Sequence, residues 1–324
     1  MTIASAPAKI ILFGEHFVIY NQPAILASIN KRIKIDSRIV SENKNTIRIE
    51  TNHFGKKTYP LSLLKNINQN IHNDFFYPIL YILKKILQNF EKLNGIEIKI
   101  ESEIPYGIGL GSSAALSVAT VAAIYGLYNR YSQKNQILEL AIETEKIIHK
   151  NSSGADCVIS TYGGLMYYQK NSNMRQLKYS KKPNFILINT GLKHSTGELV
   201  SRVERFRQNN FATFLKLANK VANICNNAIE ALIEGNIVKL GKLMNENQIL
   251  LEQIGVSNKE INKIIETSLN YGAIGSKLTG AGGGGCILSI IHQENKKYFL
   301  SNMRKSGYEC FDIIIENQGV KVKI

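Results

Sequence analysis

The chain has 324 residues, of which 44% are hydrophobic, so it is long enough to bury the cores of two domains. Its net charge of +15 comes from lysines scattered in pairs such as Lys84–Lys85, without a basic block interleaved with aromatic residues, so we expect neither nucleic acid nor a membrane as a partner. The four cysteines form no CxxC pair and no apolar signal-peptide region opens the chain, which predicts a cytoplasmic protein with reduced thiols.

The first part of the chain predicts several strands followed by a helix. Ile10 to Phe13 is typical of a buried strand that ends at Gly14. Alternating isoleucines predict two paired strands between residues 32 and 50, and residues 54–60 predict a further strand. Residues 74–93 have the apolar period of an amphipathic helix.

The central stretch IPYGIGLGSSAA, residues 104–115, is a glycine-rich turn between a strand and a helix. Isoleucines alternate with charged residues before it, and the apolar residues 114–128 predict a buried helix after it. Glycines permit backbone conformations closed to other residues, and the free N–H groups of a helix start attract anions, most naturally phosphate. The spacing fits neither the P-loop nor the dinucleotide-binding fingerprint, and a mere tight turn stays an alternative on these residues alone.

The rest of the chain predicts more helices and a second group of strands, so we assign the class α+β. Residues 150–156 are predicted as a polar loop. The polar and basic stretch 170–183 is the predicted domain junction, which divides the chain into residues 1–182 and 183–324. Helices are predicted over residues 136–149, 196–206, 211–234, 237–253 and 259–271, and strands over 164–168, 185–189, 286–292, 308–315 and 320–324.

A second glycine-rich segment, KLTGAGGGGC, spans Lys277 to Cys286 between two apolar strands. A flexible hairpin is one interpretation. Consecutive glycines are entropically costly to order, so we favour a closely approached backbone or an anion nest. Two glycine-rich phosphate candidates in one chain point to a nucleotide.

Three segments, in order, resemble the motifs of the GHMP small-molecule kinases: APAKIILFGEHFVIYNQPAI, IPYGIGLGSSAA and KLTGAGGGGC. Within that family the chain is most similar to the members that phosphorylate mevalonate, because galactokinase-like sequences have Thr-Asp after the histidine where this chain reads FVIYNQPAI. The resemblance implies an N-terminal domain like the second domain of ribosomal protein S5 and a ferredoxin-like C-terminal domain. It also implies a homodimer that uses ATP and Mg²⁺ to phosphorylate the C5 hydroxyl of (R)-mevalonate, giving 5-phosphomevalonate for isoprenoid synthesis.

The resemblance assigns roles in phosphoryl transfer to individual residues. Asp156 is the implied catalytic aspartate, and Lys9 is the lysine that pairs with it, keeps it ionised and stabilises negative charge on the attacking oxygen. Ser113 and Glu145 are the implied Mg²⁺ ligands, and spacing alone does not exclude Glu143 in place of Glu145. The implied ATP-binding residues are Gly107, Gly109, Leu110, Gly111, Ser112, Ser113, Ala114, Gly282 and Gly283.

The resemblance also implies an acceptor site. Glu15 and His16 would line it, although a hydrogen-bonded structural histidine is an alternative for His16. Thr196 would lie close to the catalytic pair, although Ser195 or Thr196 would also suit the N-cap of a helix.

Three positions depart from the family pattern. Ser152 replaces a usual proline and Cys157 a usual asparagine, both in the segment SSGADC around Asp156. Asn21 replaces a common glycine, and it is the other residue type best able to adopt the left-handed conformation. Neither change near Asp156 removes a charge, so we keep Asp156 as the catalytic residue.

Other functions stay open at this stage. Phosphomevalonate, galactose or homoserine are alternative acceptors. A non-catalytic relative that binds nucleic acid or senses a ligand is an alternative of another class, favoured by the basic charge and disfavoured by the presence of every implied catalytic residue.

Overall fold

The computed structural model describes residues 1–40, 45–67, 73–88, 90, 93–105, 107–128, 133–148, 153–170, 174–193 and 195–324. The strands are β1 (Thr2–Phe13), β2 (Ala24–Val40), β3 (Thr46–Thr51), β4 (Gly55–Pro60), β5 (Gly95–Ser102), β6 (Leu165–Tyr168), β7 (Arg175–Gln176), β8 (Asn184–Asn189), β9 (Ala273–Thr279), β10 (Cys286–Ile291), β11 (Glu309–Ile313) and β12 (Lys321–Lys323). The α-helices are α1 (Tyr77–Leu87), α2 (Ser112–Leu127), α3 (Lys134–Ile148), α4 (Ala155–Tyr162), α5 (Thr196–Asn209), α6 (Phe211–Glu234), α7 (Ile237–Gln253), α8 (Lys259–Asn270) and α9 (Lys296–Lys305). The α+β class is confirmed.

The first sheet has the strand order β12-β1-β2-β5-β3-β4, with β6 and β7 extending from β2. The predicted strands between residues 32 and 50 exist, but the prediction that they pair with each other is wrong. β5 lies between them, antiparallel to β2 and parallel to β3. Its alternating Ile96, Ile98 and Ile100 are buried, which explains why this strand occupies an inner position of the sheet.

Helix α2 packs on β1 and β2. Its own alanine, valine and isoleucine side chains are buried on almost every side of the helix. Helix α3 packs against α2, which places Glu145 beside the start of α2. Helix α4 was not predicted, because the sequence read as a loop up to Asp156. It begins directly after Gly154, whose φ of 79° puts the cap in the left-handed region, and it is too short to show a clear apolar period.

The second sheet has the order β11-β8-β10-β9, which is the 4-1-3-2 order of a ferredoxin-like fold. Edge strand β9 is covered by α7. The backbone N–H groups of Ser276 and Leu278 donate to the side-chain oxygens of Asn245 (2.9 Å) and Gln248 (3.0 Å) on that helix. These amides satisfy strand donors that would otherwise be unpaired at the sheet edge.

The chain passes from the first sheet to the second between β7 and β8, and its last strand returns to the first sheet. β12 pairs antiparallel with β1, so the predicted division at residues 182 and 183 leaves one C-terminal strand on the N-terminal sheet. None of the described helices combines the length and the apolar character needed to cross a bilayer.

Candidate active site

A cavity of about 700 Å³ lies between the first sheet, the start of α2 and the turn that follows β9. Predicted site residues from distant parts of the chain line it: Lys9, His16, Gly107, Gly109, Gly111, Ser112, Ser113, Ala114, Glu145, Asp156 and Thr196. The glycine turn, the metal candidates and the acceptor candidates therefore open onto one space.

Lys9 and Asp156 form an ion pair in this cavity, with Nζ and Oδ1 3.2 Å apart. The Lys9 side chain is 5% exposed and that of Asp156 is 38% exposed, so the carboxylate keeps a face open to a ligand. Gly111 lies against the pair, because a Cβ there would meet Lys9 Cγ at 2.7 Å and Asp156 Oδ2 at 3.4 Å. A side chain at this position would displace the lysine.

The central turn has the backbone that its glycines predict. Gly107, Gly109 and Gly111 have φ angles of 77°, 79° and 71°, in the left-handed region. Gly111 caps α2 without a side-chain hydrogen bond, so the first N–H groups of this helix have no side-chain cap there. Leu110 departs from the prediction: it is buried outside the cavity, and its carbonyl accepts from the Lys9 N–H at 3.0 Å.

Glu145 and Glu143 have opposite surroundings, which spacing alone did not reveal. Glu145 is buried, and its Oε1 accepts hydrogen bonds from Ser113 Oγ (2.7 Å) and Ser117 Oγ (2.9 Å). Glu143 pairs with Lys85 at 2.7 Å on the outer face of α3, where this cation holds the pKa of its carboxyl below the usual value. Of the two, Glu145 is the carboxylate beside Ser113.

His16 lines the cavity, and it is also held by the C-terminal part of the chain. Its Nε2 lies 2.8 Å from the Ala281 carbonyl oxygen, which only accepts, so Nε2 carries the proton and donates. Burial, reinforced by the charge of Lys9, lowers the pKa of His16 to about 4, so the ring is neutral at pH 7. Its φ of 60° is unusual for a residue other than glycine.

Glu15 requires a correction, because it does not line the cavity. It is fully buried and ion-paired with Lys277 of β9, and Asn247 Nδ2 donates to its Oε2 at 3.1 Å. Burial lowers the pKa of Lys277, and the Glu15 charge opposes that shift. The sequence signal for this pair, the lysine that opens KLTGAGGGGC, was present but unused.

The second glycine run also requires a correction. Gly282 and Gly283 pack behind the cavity, where a Cβ on Gly282 would lie 2.3 Å from the Val256 carbonyl oxygen and the Gly283 N–H donates to that oxygen at 2.8 Å. Gly280 and Ala281 line the cavity instead. A Cβ on Gly280 would lie 3.2 Å from the Gly109 carbonyl oxygen, so the two glycine turns meet here.

The remaining predicted positions are placed as follows. Ser195 is the N-cap of α5 and accepts from the Glu198 N–H, which leaves Thr196 exposed at the cavity. Asn21 has φ 62° and ψ 25°, which confirms the left-handed conformation. Cys157 is buried, and burial raises the pKa of its thiol well above the usual value, so it replaces asparagine as an inert apolar group. Ser152 lies outside the described residues.

Sequence reasoning missed an aromatic end of the cavity. Phe54, in the β3–β4 hairpin, stacks on Phe75 ahead of α1 with ring centroids 3.8 Å apart, and both residues are more than 40% exposed. Tyr77 and Pro78 extend this wall. No signal for this wall was present in the sequence, because residues 54 and 75 were predicted within a strand and a helix, and their exposure follows only from the fold.

Known proteins with similar sequences and structures are kinases, which agrees with the arrangement of residues in this cavity. The family models for the GHMP kinases N-terminal and C-terminal domains match residues 78–164 and 228–309. The mevalonate kinase of Methanothermobacter thermautotrophicus is 36% identical over 88% of this chain and 89% of its own, and that of Pyrococcus furiosus is 32% identical over 99% and 98%. The crystal structure of Methanococcus jannaschii mevalonate kinase superposes with a TM-score of 0.86 at 30% identity, covering 97% of this chain and 98% of that one.

Proposed function

The chain belongs to the GHMP kinases and, within them, to the mevalonate kinases, and from this premise we propose how its residues work. The protein transfers a phosphoryl group from ATP to the C5 hydroxyl of mevalonate and forms 5-phosphomevalonate. The observation that carries our assignment is the Lys9–Asp156 pair, which lies in one cavity with the glycine turn and the start of α2.

The phosphates of ATP bind at the start of α2. Gly107, Gly109 and Gly111 let the backbone come close to the nucleotide, and the helix N-terminus contributes N–H groups and a positive dipole end. Gly280 and Ala281 close the opposite side of the same space. These groups stabilise charge on the phosphates without any covalent step by the protein.

Ser113 and Glu145 would hold Mg²⁺. Both offer hard oxygen ligands within hydrogen-bonding distance of each other, and Mg²⁺ commonly uses one or two protein oxygens together with phosphates and water. The bound ion would neutralise charge on the phosphate oxygens. We expect Ser113→Ala to raise the Mg²⁺ concentration needed for half-maximal activity roughly tenfold, by analogy with the loss of an orienting metal contact. Ser117→Ala, which removes the other hydroxyl on Glu145, is the matched control and shifts it less.

Asp156 orients the acceptor hydroxyl. A carboxylate is too weak a base to deprotonate a free alcohol, so it takes the proton late, once the oxygen has begun to bond to phosphorus. Lys9 pairs with Asp156 and stabilises the charge that develops on the attacking oxygen. The open face of Asp156 is the place from which the hydroxyl approaches.

The adenine packs against the aromatic end of the cavity. Phe54, Phe75 and Tyr77 offer an apolar wall there. Since stacking of a base on an aromatic ring is worth about 1–3 kcal/mol, Phe75→Ala should raise the KM for ATP roughly tenfold. Phe211→Ala, at an exposed phenylalanine on α6, is the control and should leave that KM unchanged.

The test of the function is a panel of acceptors. We expect MgATP with mevalonate to give ADP and 5-phosphomevalonate, while phosphomevalonate, galactose and homoserine give no product above background. Turnover with one of these three and none with mevalonate contradicts the assignment. A homodimer and a cytoplasmic location stay predictions, to be checked by light scattering of the purified protein and by cell fractionation.

A further inference from the structure

The aromatic end of the cavity is built from two segments that lie apart in the chain. Phe54 is in the turn between β3 and β4, and Phe75 is in the turn ahead of α1. Their rings stack with centroids 3.8 Å apart, and both residues line the cavity. The pair presents one apolar surface to a ligand only while the two turns keep a fixed relative position.

The hairpin that carries Phe54 has little apolar burial to hold it in place. β4 ends the strand order of the first sheet and pairs with β3. All six residues of β4 are described, and Tyr59 is the buried one among them, at 6% exposure. The polar contacts of this strand therefore have a large share in setting the position of the hairpin.

Asp74, ahead of α1, receives the polar contacts of this hairpin. The Tyr59 hydroxyl donates to Asp74, with Oδ1 and Oδ2 both at 2.9 Å. Lys57, two residues earlier and on the same face of β4, forms an ion pair with Oδ2. Burial alone would raise the pKa of Asp74, but its hydrogen bonds, led by that from Lys57, lower the pKa below the usual value. The carboxylate is therefore ionised at pH 7.

The same carboxylate fixes the turn that carries Phe75. Asp74 Oδ1 accepts from the Phe76 N–H at 3.0 Å, and the Asp74 carbonyl oxygen accepts from the Tyr77 N–H at 3.0 Å. These are the bonds of an Asx turn inside a β-turn, and Phe75 lies between them. One side chain thus sets the backbone on both sides of the aromatic pair.

We propose that Asp74 is a positioning residue for nucleotide binding, which holds the turns of Phe54 and Phe75 in the arrangement in which their rings stack on the adenine of ATP. This inference rests on the proposed function, which puts the base at this wall. Lys57 and Tyr59 are the partners of Asp74 on the hairpin. A wall that is held in place by contacts within the protein loses less conformational freedom when the nucleotide binds, so affinity is gained.

Steady-state kinetics of the full chain test the positioning role. Asp74→Ala removes the contacts of the carboxylate with the hairpin and the turn, and it should raise the KM for ATP roughly fivefold at nearly unchanged kcat. Tyr59→Phe removes one hydroxyl and keeps the buried ring, and it should raise that KM roughly threefold. Asp312→Ala, which removes a carboxylate paired with Lys296 on the second sheet, is the matched control and should leave the KM unchanged.

Inorganic tripolyphosphate separates positioning of the wall from a general distortion of the cavity. It carries the phosphate chain of ATP without the base, so it competes with ATP at the start of α2 and does not use the aromatic wall. Its inhibition constant should be the same in Asp74→Ala, in Tyr59→Phe and in the unchanged protein. A purely structural role would weaken tripolyphosphate as much as ATP, and this result overturns the inference.

A protein that lacks both rings tests whether Asp74 acts through them. Adding Asp74→Ala to the double variant Phe54→Ala, Phe75→Ala should leave the KM for ATP where the double variant has it, because the wall is already absent. If Asp74 contacted the nucleotide itself, the effects would multiply. A further rise of about fivefold in the triple variant therefore overturns the inference.

Failure of the inference and failure of the proposed function give different results. An unchanged KM for ATP in Asp74→Ala or in Tyr59→Phe, while Phe75→Ala raises it, overturns the positioning role and keeps the base at this wall. Tyr59→Phe decides the matter if Asp74→Ala does not fold. An unchanged KM in Phe75→Ala removes the base from this wall and the inference with it. Failure to phosphorylate mevalonate counts against the proposed function.

Discussion

Two lysine–carboxylate pairs each include one residue of the first motif, and they differ in their access to the cavity. Lys9 pairs with Asp156, whose side chain is 38% exposed. Lys277 pairs with Glu15, and both side chains are 0% exposed. Both pairs join a lysine to a carboxylate, but only the first pair has a face open to a ligand.

This difference separates reaction from positioning. A carboxylate that orients a hydroxyl needs an open face, which Asp156 has because Gly111 leaves space beside it. A pair enclosed on every side meets no substrate, but it holds the backbone on both sides of the cleft in one arrangement. Changes to the first pair should therefore act on kcat, and changes to the second on stability and on KM for mevalonate.

The largest expected effect comes from Asp156→Asn. Losing the proton acceptor and the charge opposite Lys9 should lower kcat by about 10³ to 10⁴-fold, the upper range for a positioned acid–base group. MgATP affinity, measured by calorimetry, should stay within a few fold because Asp156 contacts the acceptor. Retention of full activity would remove Asp156 from the mechanism.

Lys277→Met should have the next largest effect, on the free energy of unfolding. It leaves Glu15 buried without its cation, and breaking a buried pair in this way costs about 3–5 kcal/mol. Replacing both partners, in Glu15→Leu with Lys277→Met, should return most of that loss in urea unfolding. Equal stabilities of the single and double variants would mean that the two groups are not coupled.

The free energy of unfolding should depend on pH through His16. Its pKa is about 4 in the folded state against 6.5 for the unperturbed group, so the unfolded chain takes up the proton first as the pH falls. The stability contributed by the neutral ring is complete above pH 6.5 and decreases below it, by about 3 kcal/mol at pH 4. His16→Gln should lack this component, so the difference between the two unfolding profiles is the measurement; parallel profiles would contradict it.

The smallest effect is expected at a surface pair. Lys296 pairs with Asp312, whose side chain is 44% exposed, and exposed pairs are worth about 0–1 kcal/mol. Lys296→Met should therefore change neither kcat nor the KM for mevalonate, and should change stability by less than about 1 kcal/mol. A loss comparable to that of Lys277→Met would show that burial is not what distinguishes the pairs.

The elements and the motifs could be predicted from the sequence because period, glycine placement and capping are local properties. The side chains that Glu145 and Glu15 contact could not be predicted from the sequence. Glu143 and Glu145 lie about 200° apart around a helix, and only the packing of α3 on α2 decides which one meets Ser113. Glu15 and Lys277 are 262 residues apart, so their pairing depends on how β9 docks against the first motif.

The two glycine-rich segments also show that contacts set by the fold cannot be predicted from the sequence. Gly107, Gly109 and Gly111 have the predicted left-handed backbone and face the cavity. In the second glycine-rich segment, residues 277–286, the sequence does not show which glycines face a ligand and which pack against the protein. Gly282 lies against the Val256 carbonyl, whereas Gly280 lines the cavity. Only the fold distinguishes these two neighbours.

The most direct test is a single-turnover measurement of phosphoryl transfer at saturating MgATP and mevalonate. It compares Lys9→Met with the double variant Glu15→Leu, Lys277→Met. We expect Lys9→Met to slow the transfer step at least about a hundredfold more than the double variant, because only Lys9 acts on the reacting oxygen. Equal losses, or a larger loss in the double variant, would contradict the separation of the reacting pair from the positioning pair.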